Sequence, residues 1–324
     1  MQNLVDAHGT DTLSFFKLRN DIDHLFAPGG CAVAGYRVEA GVLMVAADLV
    51  GPADQLSGLA TQLRAEATRR GLKLAVFAAS QAGAELFAPL GLRPLYLGDE
   101  AIVSPSEFSL EGRPIRKVRQ SVTRLEREGY STEFVRLGDL TRTQVDELQA
   151  LADRARDGAP EHGFAMELPS LQGRGLDRTW VLVARDTRGA ARGVLHLVGC
   201  GPRPALSLSL TRRERRAPNG LVEFMVVRAI LAARERGVEE ISLNFATFGR
   251  WIAAPTGPAE RALGRVARAG DRWFQIESLY RFNAKFFPRW EPRYLLHEGP
   301  RSLPRTALAA MWAEGLLPKP RPRS

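Results

Sequence analysis

The stretch Ala205 to Gly249, ALSLSLTRRERRAPNGLVEFMVVRAILAARERGVEEISLNFATFG, gathers the residues best suited to chemistry. Leu206, Leu208 and Leu210 alternate with Ser207, Ser209 and Thr211, which predicts a strand with one apolar and one hydroxyl-bearing face. Arg212, Arg213, Arg215 and Arg216 follow, just ahead of Pro218-Asn219-Gly220 and a predicted helix. A helix start built from Pro and small residues leaves backbone N–H groups free for an anion. Guanidinium groups match phosphate oxygens fork to fork. A phosphate-rich ligand at this helix start is one reading. The other is a solvated loop whose arginines pair with Glu214 and Glu223.

A second stretch, Trp273 to Glu298, mixes aromatic and basic residues. Ile276, Leu279, Tyr280 and Phe282 fit a buried helical face, with Arg281 and Lys285 one turn apart. Trp273, Tyr280, Trp290 and Tyr294 interleave with Arg281, Arg289 and Arg293. Such mixtures stack bases and hold phosphates, although aromatics at helical spacing more often form core. Lys285 is the functional candidate here.

Other chemistries lack their residues. His8, His24, His162, His196 and His297 are scattered without metal spacing, so no metal is expected, and His196 on an apolar strand reads as structural. Neither a G-x-S-x-G elbow nor a G-x-x-x-x-G-K-[ST] loop is present. Cys31 and Cys200 cannot build a disulfide framework or a Cys-rich zinc site, which favours a reduced, cytoplasmic setting. The most apolar stretches, Gly41–Val50 and Phe224–Ala233, fall short of the ~20 residues a membrane span requires.

The elements that must position these residues read as mixed α/β. In the first half, Cys31–Val38 and Val42–Leu49 form a hairpin around Glu39-Ala40-Gly41. A helix over Pro52–Arg70, a strand over Lys73–Ala78, a helix over Gln81–Leu90 and an extended Leu92–Val103 follow. A basic helix over 106–130 joins the halves, with Ile115, Val118, Val122 and Leu125 on its apolar face. The second half repeats the theme: strand Thr132–Leu137, helix Thr143–Asp157, hairpin Trp180–Arg185 with Gly193–Val198, strand Ala205–Thr211, helix from Leu221 to Arg236, and strand Glu240–Phe245. With 324 residues, 45 Lys plus Arg against 36 Asp plus Glu, a net charge of +9 and 45% hydrophobic content, the chain is globular, basic and long enough for two units. The surplus charge points to an anionic partner. No G-x-G-x-x-G follows an early strand, which weighs against a dinucleotide-binding domain.

Six blocks together resemble a known family. HGTDTLSFFKLRND, SEFSLEGRPIRKVRQSVTRLEREGY, LSLSLTRR, PNGLVEF, SLNFATF and ESLYRFNAKFFPRWEPRYL are similar to the catalytic domain of the lysyl- or alanyl-phosphatidylglycerol synthases, the multiple peptide resistance factor family. The resemblance implies two tandem acetyltransferase-like (GNAT) modules, 1–105 and 131–298, joined by a long basic helix, with a basic tail at 299–324. It implies aminoacyl-tRNA as donor, no cofactor, and transfer of the aminoacyl group to an acceptor hydroxyl. Arg212 stands at the family's catalytic arginine, Lys285 at its assisting lysine, and Glu223 at the acidic position after Pro-Asn-Gly. Arg213, Arg216, Arg281, Arg116 and Arg119 would face tRNA phosphates, with Asn219 and Gly220 at the helix start. Asn244 would orient the aminoacyl group or simply cap a strand end.

One departure shapes the expected function: Ser209 occupies the family's aspartate position. Serine cannot act as general base at neutral pH, whereas an amine or hydroxylamine acceptor attacks an activated ester in its neutral form. The resemblance extends to soluble enzymes of the same superfamily that move an amino acid from charged tRNA to a small amine or hydroxylamine acceptor in natural product biosynthesis, and with Ser209 that type is the expected function. Transfer to phosphatidylglycerol, with a peripheral membrane contact, is the alternative. An acyl-CoA N-acyltransferase and a non-catalytic tRNA- or lipid-binding module are competitors of other classes.

Overall fold

The computed structural model describes residues 1–156, 164–168, 170–173, 175–247, 279–315 and 317. His162, Trp273, Ile276 and the closing PKPRPRS lie outside them. The strands are β1 (Asp23–Phe26), β2 (Val33–Glu39), β3 (Val42–Ala46), β4 (Lys73–Ala79), β5 (Arg93–Val103), β6 (Ser131–Arg136), β7 (Trp180–Arg185), β8 (Ala191–Cys200), β9 (Arg203–Arg213), β10 (Glu240–Thr247) and β11 (Arg289–His297). All eleven join one sheet in the order β1-β2-β3-β4-β11-β5-β10-β9-β8-β7-β6.

Each half contains an antiparallel run that ends in a parallel pair. In the first, β3 lies parallel to β4 across α2 (Ala53–Arg69); in the second, β9 lies parallel to β10 across α6 (Leu221–Arg234). The hairpin between β2 and β3 turns through Ala40 (φ 49°) and Gly41 (φ 74°), the left-handed pair that a two-residue turn demands. β11 comes from the end of the chain yet sits between β4 and β5, antiparallel to both.

Helices cover the sheet through their apolar stripes. Leu59, Leu63 and Ala67 of α2 meet Leu43, Val45, Leu74 and Val76 in one cluster, joined by Phe87 of α3 (Gln81–Phe87). In the second half, Val118, Val122 and Leu125 of α4 (Arg116–Arg127) pack with Leu221, Phe224 and Met225 of α6 over Leu195, Leu197 and Leu206. A further cluster links the halves, uniting Phe15, Phe16 and Phe77 with Val183, Val194, Val198 and Leu210. To it α5 (Arg142–Arg156) contributes Leu148 and Leu151, and a C-terminal helix α7 (Leu303–Ala313) contributes Ala309, Ala310 and Ala313.

Three expectations change. The basic helix is twelve residues long, not the length of 106–130, because Pro105, Gly112 and Pro114 break the approach and helix begins only at Arg116. The helical face read from Ile276 to Phe282 does not run on past Lys285: Phe287 turns at φ 52° and Arg289–His297 is strand. The 299–324 tail contains α7, whose small residues let it dock closely on the core.

A buried ionic cluster lies where β5, β10 and β11 meet. Arg293 of β11, 3% exposed, donates to Glu100 of β5, which is fully buried, and to Asp11 at 2.6 Å. Thr12 Oγ1 donates to Glu100 Oε1 at 2.6 Å, and Ser242 of β10 donates to the same oxygen. The carboxylates hold the Arg293 pKa well above its ordinary value, against the effect of burial. Beside it Lys17 is completely buried, and burial lowers its pKa to about 8.

Candidate active site

The parallel strands β9 and β10 pair only through Ala205, Leu206 and Ser207 against Glu240, Ile241 and Ser242. Beyond that point both continue and the parallel ladder stops. The gap is spanned by Asn244, a left-handed residue (φ 71°) within β10. Its amide donates to Leu208 O at 2.6 Å and to Met166 O at 3.0 Å, and its backbone N–H donates to Ser242 Oγ at 3.1 Å. A non-glycine residue in this conformation is strained and persists where surrounding bonds fix it. Asn244 thus stitches the parted strands together.

Ser209 lies at a β-bulge. On β8, His196 pairs with Leu210 but its neighbour Leu197 pairs with Leu208, so Ser209 is the extra residue. The simple alternation expected over Leu206–Thr211 is therefore inverted halfway. Leu206 and Leu208 join the cluster under α6, whereas Leu210 joins the cluster that links the halves. After the bulge Arg212 pairs with Val194 and Arg213 with Gly193, so their side chains leave opposite faces. The Ser209 hydroxyl is buried and accepts the Leu168 N–H at 3.2 Å.

On the α6 face a cleft of about 310 Å³ opens beside the gap, at the low end of the ~300–1,000 Å³ usual for small-molecule sites. Leu208, Thr211 and Arg213 of β9 form one wall, Asn219 to Glu223 another, and Leu243, Leu279, Phe282 and Asn283 the rest. Gly220 caps α6 at φ 83° with no side chain bonded to the first turn. A Cβ there would lie 2.6 Å from Ser121 Oγ of α4, so both conformation and space require glycine. Arg124 of α4 donates to Asn219 O. These contacts set α4 against the helix start, with Arg116 exposed on its first turn. Arg119 instead donates to Leu110 O and Gly112 O and anchors the preceding turn.

Lys285 Nζ lies 2.8 Å from Glu223 Oε1 and 5.0 Å from the Phe282 ring centre. It follows the helical residues 279–284, in which Arg281 is exposed. Arg213 reaches Ala217 O at 3.3 Å, and Arg216 is exposed in the loop before α6. Glu223, Lys285, Asn219, Gly220 and Arg213 therefore share one face.

Arg212, Ser209 and Asn244 form a second group, gathered by the short strap 164–168. Arg212 Nη2 donates to Glu167 Oε1 at 2.5 Å, with both side chains about one quarter exposed. Glu167 escaped sequence reading because nothing in GFAMELPS carries a period or a motif. The remaining candidates behave as structural residues. His196 is fully buried, bonded to Thr179 Oγ1 at 2.8 Å, and pushed down to about 3 by burial. Cys200 is buried, which raises its thiol pKa and makes it inert. Among the described residues no group of three or more His, Cys, Asp or Glu side chains is placed to hold a metal ion, and no helix is long and apolar enough to cross a membrane.

Comparison with known proteins decides the family. Residues 2–297 match the family model of the phosphatidylglycerol lysyltransferase C-terminal domain. The chain belongs to that family. It is 40% identical over 318 residues to the lysylphosphatidylglycerol biosynthesis bifunctional protein LysX of Rhodococcus jostii, covering 96% of this chain and 28% of that protein. The corresponding protein of Mycolicibacterium gilvum is 38% identical over 328 residues, or 99% of this chain and 29% of its own length. The chain thus spans under a third of these curated relatives. The solved structure of L-PGS from Bacillus licheniformis shares the fold, with a TM-score of 0.82, 20% identity, and 96% and 94% of the two chains covered. The phosphatidylglycerol lysyltransferase C-terminal family is thus supported both by sequence and, at the level of fold, by structure.

Proposed function

We propose that this chain transfers an aminoacyl group, lysyl by the names of its relatives, from charged tRNA to a terminal glycerol hydroxyl of phosphatidylglycerol. The observation that carries the reading is the two-sided gap between β9 and β10. One face offers a cleft at a helix start lined by Arg213, and the other presents the guanidinium of Arg212 paired with Glu167.

The division fits two substrates that approach from opposite faces. The tRNA 3′ end occupies the α6 face, its phosphates toward Arg213, Arg216, Arg116 and Arg281, and its ribose toward the first turn of α6. The acceptor hydroxyl comes from the Arg212 face. Its oxygen attacks the ester carbonyl, the bond to the ribose oxygen breaks, and the proton lost by the acceptor ends on that ribose oxygen. Arg212 stabilises the charge developing on the carbonyl oxygen. Lys285 compensates Glu223, so the donor side of the cleft carries no bare carboxylate. Phe15, Phe16 and Phe77 of the first half pack in one cluster with Leu210 and so wall the acceptor side.

A small amine acceptor is the second reading, favoured by the serine at position 209 with its hydroxyl already engaged by Leu168. The relatives' names weigh toward the lipid. Radiolabelled lysyl-, alanyl- and seryl-tRNA, each incubated with phosphatidylglycerol vesicles, hydroxylamine or acetyl-CoA-dependent acceptors, separates the readings. Label moving from lysyl-tRNA into lipid is the expected result. Label moving only into hydroxylamine selects the second reading, and transfer from acetyl-CoA alone overturns both.

A further inference from the structure

The strap 164–168 is tied down more heavily than its length would require. Glu314, at the end of α7, accepts the Phe164 N–H at 3.1 Å. Asn244 donates to Met166 O, Arg19 donates to Glu167 O, and the Leu168 N–H donates to Ser209 Oγ. Four separate parts of the chain thus fix five residues. The side chain that emerges from the middle is Glu167, and it meets Arg212. Glu223 cannot do the same work, because it lies on the opposite face and is engaged by Lys285. Loops held this firmly serve to place a group to within a fraction of an ångström.

We propose that Glu167 is the positioning carboxylate of Arg212, and that Ser209 is there to hold Glu167's strap. This inference rests on the transfer reading above. Position 209 carries no carboxylate, and Glu167, one residue from the Leu168 N–H that Ser209 accepts, brings one to Arg212 from a loop. The arrangement has a chemical consequence. Arg212 is charge-compensated, so the acceptor face suits a neutral hydroxyl. Glu167 accepts from Arg212 Nη2 and aims the guanidinium, whose Nη1 donates to Thr211 O at 3.0 Å.

The test measures steady-state transfer from lysyl-tRNA to phosphatidylglycerol vesicles by the full chain. Glu167→Gln is expected to lower kcat about 100-fold, the cost of misplacing a reacting group by about an ångström, with KM for lysyl-tRNA within twofold. Glu167→Asp is expected to recover part of the rate. Adding Ser209→Asp to Glu167→Gln is expected to restore at least tenfold of the loss, by returning a carboxylate to the strand. A Glu167→Gln enzyme with wild-type kcat, or one that loses only tRNA affinity, overturns the assignment. A second readout does not depend on turnover: the ¹⁵N-guanidinium resonances of Arg212, expected to exchange slowly in the wild type and to merge in Glu167→Gln. If the wild type transfers nothing, the transfer reading fails. The resonances then still decide the pairing, and unchanged signals refute it.

Discussion

Arg212 and Arg213 are consecutive in β9 and serve opposite faces of the sheet. The first is paired with Glu167, and the second lines the cleft at the start of α6. Neighbours in a strand always diverge in this way. Here the bulge at Ser209 decides which arginine goes to which side.

The two arginines should therefore fail differently. Arg212→Ala is expected to lower kcat by about 10²–10³-fold with little change in tRNA affinity, as for loss of one oxyanion donor. Arg213→Ala is expected to weaken tRNA binding and reduce the slope of log K against log salt by about one. Filter binding at several salt concentrations, together with single-turnover kinetics, distinguishes the two. Identical phenotypes would contradict the division of faces.

Lys285→Ala removes the partner of Glu223 and leaves a carboxylate facing the donor cleft. Transfer should fall by at least tenfold through KM for charged tRNA. Stability should change by less than about 1 kcal/mol, because the pair is partly solvated. Wild-type rates in both Lys285→Ala and Arg212→Ala would remove these residues from the site.

Glu314 gives a pH signature. Burial raises its carboxyl to about 7, opposed by the Ala165 and Phe164 N–H groups and by Arg19 and Arg37. An acid whose pKa is higher when folded binds more protons in the native state between the two values. Its contribution is full below about pH 4.5 and declines as pH rises toward 7, by about 3 kcal/mol at ~1.4 kcal/mol per unit. Glu314→Gln should flatten Tm against pH over this window and be relatively stabilising above pH 7. An unchanged slope from thermal unfolding would show that another group controls it.

Arg293→Met should be severe. It strands Glu100 and Asp11 in the interior without their cation, a change that costs about 3–5 kcal/mol. Urea unfolding measures it directly. A loss below about 1 kcal/mol would mean that the carboxylates find other partners.

Most of the sheet's elements were readable from the sequence because strand alternation and helical stripes are local, but β1 and β11 were not. The hairpin at Ala40-Gly41, α2 and α6 all lie within a few residues of their expected bounds. The site was readable only in part. Arg212, Lys285 and Glu223 were singled out by their resemblance to family positions, but a bulge leaves no mark in an alternating LSLSLT run. That single extra residue separates Arg212 from the Glu223–Lys285 pair. Glu167, Glu314 and the Arg293 cluster were invisible for another reason: each depends on contacts between segments 45 to 282 residues apart, fixed only when the sheet closes.

The late arrival of β11 has a consequence for synthesis. β4 and β5 are made early, but the slot between them stays empty until Arg289–His297 has left the ribosome. At ~5–20 residues per second, the nascent chain waits roughly 10–40 s with two open strand edges, a standing invitation to aggregate. Glu100 and Asp11 lack their Arg293 partner for the whole interval. The charges that Arg293 finally neutralises are thus the gatekeepers that keep the unfinished protein from sticking to its neighbours.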